Sequence, residues 1–226
     1  MVIKHYNLES EIKLTYDKIR LLVIENPNEL YKKVTELIAQ SNGQDGNFII
    51  QEDSKDINFS KSIEIITDLL NIDMNDKKIL NLLYKKLETN FNSSELIVDL
   101  NTINTRVEGL LEKLFSTVSV ATSTSLANII DYVKIFDTKI ENTYDTFLEK
   151  IICYINALVE LKNVKLFVFV GAKGYLSDDE MKELLLHCER EKVYLLFIES
   201  SIVRKLCDFE IATVITEDLC EIVVKS

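Results

Sequence analysis

The 226-residue chain reads as an α/β protein: a head with a mainly parallel sheet, and a domain of long helices inserted into it. Three observations lead there. Leu21 to Ile24, Leu166 to Val170 and Val193 to Ile198 are short apolar runs without polar alternation, as expected of strands buried on both faces of a parallel sheet. The second and third are separated by one helical segment, which makes a strand–helix–strand unit with parallel pairing. A single proline, Pro27, and five glycines leave too few turn residues for an all-β fold.

At the N-terminal end, Ile3, Tyr6 and Leu8 precede a polar turn at Glu9–Glu11, and Ile12, Leu14 and Tyr16 then alternate with polar neighbours as in a half-buried strand. Leu21–Ile24 follows as a central strand. Asn26 suits a helix N-cap and Pro27 the first helical position; Leu30, Val34, Leu37 and Ile38 carry the apolar stripe until Asn42-Gly43 stops it. Phe48-Ile49-Ile50 reads as another strand. From Asn58 the pattern turns helical: Ile63, Ile66, Leu69 and Leu70 share one helical face, and Ile79, Leu80, Leu83 and Leu87 another. Ser94 is positioned to cap a helix running from Leu96 to Leu114, Leu126–Phe136 predicts a short helix, and Tyr144–Val159 a second long one. Two long helices around a break predict an antiparallel helical arm. Ser177 and Glu180 form a capping box for the helix that leads to Val193–Ile198. Ala212–Ile215 and Leu219–Val224 are edge strands or a closing hairpin. The expected division is a discontinuous head, 1–57 with 160–226, around a helical domain, 58–159.

Lysine plus arginine is 26 and aspartate plus glutamate 37, a net charge of −11. Taken as an average, that acidity argues against a general nucleic-acid binder. Apolar residues are 47% and charged residues 28%, which argues against disorder. Cys153, Cys188, Cys207 and Cys220 form no C-x-x-C pair and sit among apolar neighbours, so reduced, buried thiols are expected. The longest apolar runs fall far short of the roughly 20 residues of a membrane span. The opening Met-Val-Ile-Lys-His-Tyr is no signal-type stretch, and a cytoplasmic protein without membrane partners is expected.

The turn after Leu21–Ile24 is where an α/β protein places a phosphate loop. Here it reads Glu25-Asn26-Pro27-Asn28-Glu29, with no glycine, a proline lacking an N–H and two carboxylates. Gly171-Ala172-Lys173-Gly174 has two glycines but neither the spacing nor the Lys-Ser/Thr ending of a phosphate loop, and reads as a plain strand-to-helix turn. No nucleophile pairs with His5 or His187, and Asp178-Asp179-Glu180 suits a helix N-terminus better than a metal. The residues therefore predict no enzyme. Lysine pairs at 32–33, 77–78 and 85–86, and singles at 55, 61, 139, 150, 165 and 173, read individually as solvated surface.

The order of segments resembles the accessory spacer-acquisition family of type II-A CRISPR systems, whose members are ring-forming DNA-end-binding proteins. Leu22-Val23-Ile24-Glu25, Ile66–Asp73, Lys139-Ile140-Glu141, Phe147–Lys150, Lys165–Val170 with Tyr175-Leu176-Ser177 and Glu180, and Leu195–Glu199 carry the resemblance over nearly the whole chain. The resemblance implies a head like a degenerate nucleotide-hydrolase core, long-helix legs and a homotetrameric ring. It implies non-enzymatic, sequence-independent binding of double-stranded DNA ends through lysines that line the ring, alongside the adaptation integrase proteins and the effector nuclease. Lys55, Lys61, Lys139 and Lys150 occupy the matching basic segments. Family members that bind calcium hold it with acids between the two long helices, but Ser116–Asn128 contains no Asp or Glu, and Asp131, Asp137 and Glu141 lie beyond it. The alternative is a protein-interaction scaffold with an inert head and no DNA activity. Acid exceeds base in each of three segments: residues 1–57 hold 7 basic and 10 acidic groups, 58–150 hold 10 and 14, and 151–226 hold 9 and 13. A DNA-binding reading therefore requires an acidic exterior with a minority of lysines gathered on one surface.

Overall fold

A computed structural model describes residues 1–225 and confirms an α/β fold with a mainly parallel sheet. In chain order the strands are β1 (Val2–Lys4), β2 (Ile12–Lys13), β3 (Ile19–Ile24), β4 (Ile49–Glu52), β5 (Lys55–Asp56), β6 (Ile63–Ile66), β7 (Leu166–Val170), β8 (Tyr194–Glu199), β9 (Glu210–Ile215) and β10 (Glu221–Lys225). The helices are α1 (Pro27–Ser41), α2 (Phe59–Ser62), α3 (Lys77–Asn92), α4 (Ile97–Phe115), α5 (Ile129–Ile135), α6 (Phe147–Lys162) and α7 (Asp178–Arg190). The chain divides into two compact units: Met1–Ile72 with the chain from Thr143 on, and Asp73–Asn142.

The first unit holds a six-stranded sheet in the order β10-β9-β3-β8-β7-β6, parallel throughout except for the antiparallel edge strand β10. Its three central strands are the apolar runs of the sequence, and side-chain alternation assigns their faces. Leu22, Ile24, Leu166, Val168, Leu196 and Ile198 join one core cluster with Leu37 of α1 and with Ile3, Ile12 and Ile50. Those last three come from a second sheet, antiparallel and four-stranded in the order β2-β1-β4-β5, which sequence alternation left undivided from the first. The other alternation set includes Phe169 and Phe197, which stack 5.0 Å apart.

Two elements differ from expectation. Ile63, Ile66, Leu69 and Leu70 do not share a helix: Ile63–Ile66 is β6, pairing in parallel with β7 at the sheet edge. Three β-branched residues in four favour a strand, and Lys165 N–H donating to Ser62 C=O continues the ladder. The two long helices expected to form one arm belong to different units. α6 lies in the first unit, where Leu148, Ile151, Ile155 and Leu158 are buried and the helix packs on α7. The helical unit is thus narrower than 58–159 and holds α3, α4 and α5. Within it, Asn75 exchanges hydrogen bonds with both backbone groups of Ile140, at 2.9 and 2.8 Å, and Asn104 takes the Tyr132 hydroxyl at 2.9 Å. The cysteines are free as expected, but not uniformly buried. Burial pushes the Cys188 thiol up to about 12, while Cys220 is exposed.

The connection from β8 to β9 carries no helix, and a buried polar network holds its ends. Lys173 Nζ donates to Glu210 Oε2 at 2.8 Å, with both side chains 1% exposed or less. Cys207 N–H donates to the same oxygen at 2.9 Å. Glu199, at the end of β8, accepts the backbone N–H groups of Ala172 and Lys173 at 2.9 and 2.8 Å, and burial raises its pKa above the ordinary carboxylate range. Gly171 makes the turn possible: at φ +64° it leaves β7 in the left-handed region.

Lys173→Met strands the Glu210 carboxylate in the core and is expected to cost about 3–5 kcal/mol. Adding Glu210→Leu should recover most of that loss. Urea denaturation of the three chains measures it, and equal stability of the single variant and the parent would refute the assignment.

Candidate nucleic-acid interface

The place where a phosphate loop would sit is occupied by the chain itself. Asn26 Oδ1 accepts the N–H groups of Asn28 and Glu29 at 3.1 and 3.2 Å, and its Nδ2 donates to Glu217 C=O at 3.2 Å. The first free N–H groups of α1 are therefore spent on an internal cap. The nearby cations are also engaged: Lys32 pairs with Glu29 at 2.9 Å, and Lys33 is buried with its Nζ 3.0 Å from His5 Nδ1. Burial lowers the pKa of both Lys33 and His5. His5 Nε2 lies 3.1 Å from Glu36, a carboxylate that Asn47 in turn satisfies through its backbone and side-chain N–H groups.

The four lysines singled out by sequence take different positions. Lys55 is exposed on β5, beyond a two-residue turn in which Asp53 and Ser54 both have positive φ, the geometry of a tight hairpin. Lys61 is exposed on the short α2, whose Asn58 caps the Lys61 N–H at 3.0 Å. Lys150 is half-buried on α6: its Nζ donates to Leu70 C=O at 3.1 Å and lies 6.0 Å from the Tyr144 ring centroid. Lys139 is exposed in the helical unit, and its Nζ contacts Asp137 at 2.5 Å. That hydrogen bond and the charge of Asp137 hold the Lys139 ammonium above the ordinary lysine range. Lys55, Lys61 and Lys150 thus share one unit and Lys139 belongs to the other.

Two other lysines read as solvated surface are engaged: Lys173 is buried on Glu210 and Lys165 pairs with Glu52. Lys162, which the sequence did not single out, pairs with Glu64 at 2.9 Å. No local pattern signals these pairings, because each partner lies more than 35 residues away. Two of the acids beyond the 116–128 segment are committed as well. Asp131 accepts the Asn128 N–H in a capping box, and Asp137 holds Lys139. Among the described residues no group of three or more His, Cys, Asp or Glu is arranged to hold a metal. No helix among them is long and apolar enough to cross a membrane.

Comparison with known proteins adds an independent finding. Residues 40–219 match the family model of the CRISPR-associated protein Cas_Csn2. A CRISPR-associated protein Csn2 of Enterococcus faecalis is 25% identical over 208 residues, covering 87% of this chain and 89% of that one. Another, of Streptococcus agalactiae, is 29% identical over 146 residues, covering 60% of this chain and 62% of that one. Among solved structures, an ABC transporter ATP-binding protein of Pyrococcus furiosus aligns at a TM-score of 0.36 and 13% identity, over 90% of this chain and 88% of that one.

The cap at Asn26 gives a direct test of the occupied turn. Asn26→Ala is expected to lower stability by about 1 kcal/mol, and Asn26→Gly by only a few tenths. Thermal unfolding of both variants checks the order, and an alanine variant as stable as the parent would show that the cap carries no weight.

Proposed function

The chain belongs to the Cas_Csn2 family of CRISPR-associated proteins, and from that premise we propose that it binds double-stranded DNA ends without sequence preference, as a homotetrameric ring, during spacer acquisition. The family match over residues 40–219 carries the reading. The proposed partners are DNA ends, three further copies of the chain, the adaptation integrase proteins and the effector nuclease.

The physical basis is neutralisation of backbone phosphates by a small set of lysines. Lys55 and Lys61 are exposed and so are available for it; Lys150 donates to a carbonyl and lies over the Tyr144 ring, neither of which carries a formal negative charge. Lys139 is the qualified member, because Asp137 shares its charge. A non-enzymatic role is favoured by the turn at Glu25–Glu29, where Asn26 takes the N–H groups that a phosphate would need. Calcium is assigned no part in it. The net charge of −11 favours the scaffold alternative, and one assay separates the two.

Linear and closed-circular duplexes of one sequence are compared for retention at about 50 and 200 mM salt. Linear DNA should be held and circular DNA not, with affinity for the linear form falling by about a thousandfold between the two salts. Each of Lys55→Ala, Lys61→Ala and Lys150→Ala should reduce the salt slope, whereas Asp137→Asn should tighten binding by freeing Lys139. Absent or salt-insensitive binding would leave the scaffold reading in its place.

A further inference from the structure

His5 follows β1 and is buried, its ring packed against Phe48 at 4.5 Å and Tyr6 at 4.6 Å between centroids. The Asn7 N–H donates to Nδ1 at 3.1 Å, so that nitrogen carries no proton. The ring proton therefore sits on Nε2, which faces Glu36 Oε2 at 3.1 Å. Lys33 Nζ stands 3.0 Å from Nδ1 and 3.4 Å from Nε2. A second proton on the ring thus sets an N–H against the Asn7 N–H, and it creates a cation beside the lysine whichever nitrogen is considered. Glu36 touches the ring, and Glu29 lies 4.0 Å from Lys33 while also holding Lys32. These carboxylates support one positive charge in a buried place and not two. Tyr6 is the other titratable group against the ring; Phe48 and Asn47, from the segment before β4, carry no charge. Burial, aided by the Lys33 charge, holds the His5 pKa below the ordinary histidine range.

We propose that His5 is a proton-operated latch, which on gaining a proton frees the end of β1 and the turn after it from α1 while the rest of the second sheet stays in place. Two sets of bonds join that sheet to α1. In one, Gln40 Nε2 donates to Phe48 C=O at 3.1 Å and Gln40 Oε1 accepts the Phe48 N–H at 3.0 Å, and an amide does not titrate at these pH values. The other passes through His5 and does titrate. Acid therefore cuts one tie and spares its neighbour, and β1 keeps its ladders with β2 and β4. The freed turn is short, closed by the Leu8 N–H on His5 C=O at 3.0 Å, and it carries the exposed Tyr6. A cavity of about 420 Å³ lined by Lys4, His5, Tyr6, Gly46, Asn47 and Ile49 borders the ring and gives the imidazolium an outlet to water. The open form binds the proton more readily than the closed one. Closure is complete above the ordinary histidine value of about 6.5 and is lost as pH falls below it. The latch needs neither DNA nor a second copy of the chain.

Amide hydrogen exchange of the full chain, followed by NMR and corrected for intrinsic exchange, tests this between about pH 7.5 and about pH 5. The ring resonance of His5 is read alongside, and His187 on α7 is the only other histidine signal to separate from it. Protection of the Asn7 and Leu8 amides should fall by about tenfold per pH unit below about 6.5, while Phe48 keeps its protection. His5→Gln should remove that dependence, because the group that takes the proton is gone. Lys33→Met should flatten it, because the neighbouring cation is gone. Equal protection of Asn7 and Leu8 at both ends of the range would overturn the proposal. So would a His5 ring that protonates in the closed form near the ordinary histidine value, loss of Phe48 protection in step with Asn7, or a dependence unchanged in either variant. If a variant fails to fold, the parent measurement decides by itself.

Discussion

A lysine and a glutamate with no access to water organise one end of this fold. Removing two charges from solvent is expensive, and the expense is offset only where geometry and further hydrogen bonds are good. Lys173 and Glu210 meet those conditions on one side: Glu210 Oε2 takes the Cys207 N–H as well as the ammonium and the Lys173 backbone is held by Glu199, while Glu210 Oε1 is buried without a partner. The arrangement fastens three points that a helix-free crossover would leave loose: the turn after β7, the end of β8 and the start of β9. Because β9 pairs with β3 along its whole length, the registry of the sheet beyond β8 depends on that fastening. Arg204 reaching Asp178 at 2.5 Å adds a second tie between the crossover and α7.

The parts of this architecture visible in sequence are those set by local chemistry. Asn26-Pro27 starts α1, Ser177 with Glu180 starts α7, and the apolar runs became the central strands. What local pattern could not supply was the partner of each apolar face. Ile63 and Ile66 fit one helical face by spacing and also a strand by branching, and only the free edge of β7 decides between them. The stripe on α6 looks like that of α4 on paper, yet the first is buried and the second is bare.

The candidate site was legible in part for the same reason. A lysine's sequence neighbours do not reveal whether a carboxylate far along the chain neutralises it. Lys162, Lys165 and Lys173 are spent on Glu64, Glu52 and Glu210, while Lys55 and Lys61 stay exposed. An acidic chain that binds a polyanion must do so with such a remainder, which makes the identity of the free cations matter more than their number.

The capped helix ends carry one more consequence. In many proteins the start of a helix attracts anions by its backbone, a contribution no side-chain substitution can remove. Here α1, α2, α3, α5, α6 and α7 each turn that end on a side chain of their own cap, from Asn26, Asn58, Asp76, Asn128, Thr146 and Ser177, and α4 alone among the described helices has no such bond. Those six ends therefore offer little backbone to an anion, and α4 is the exception. At the capped ends, whatever pull the molecule exerts on a polyanion resides in separate side chains, each of which can be lost or gained by a single codon without disturbing the framework beneath it.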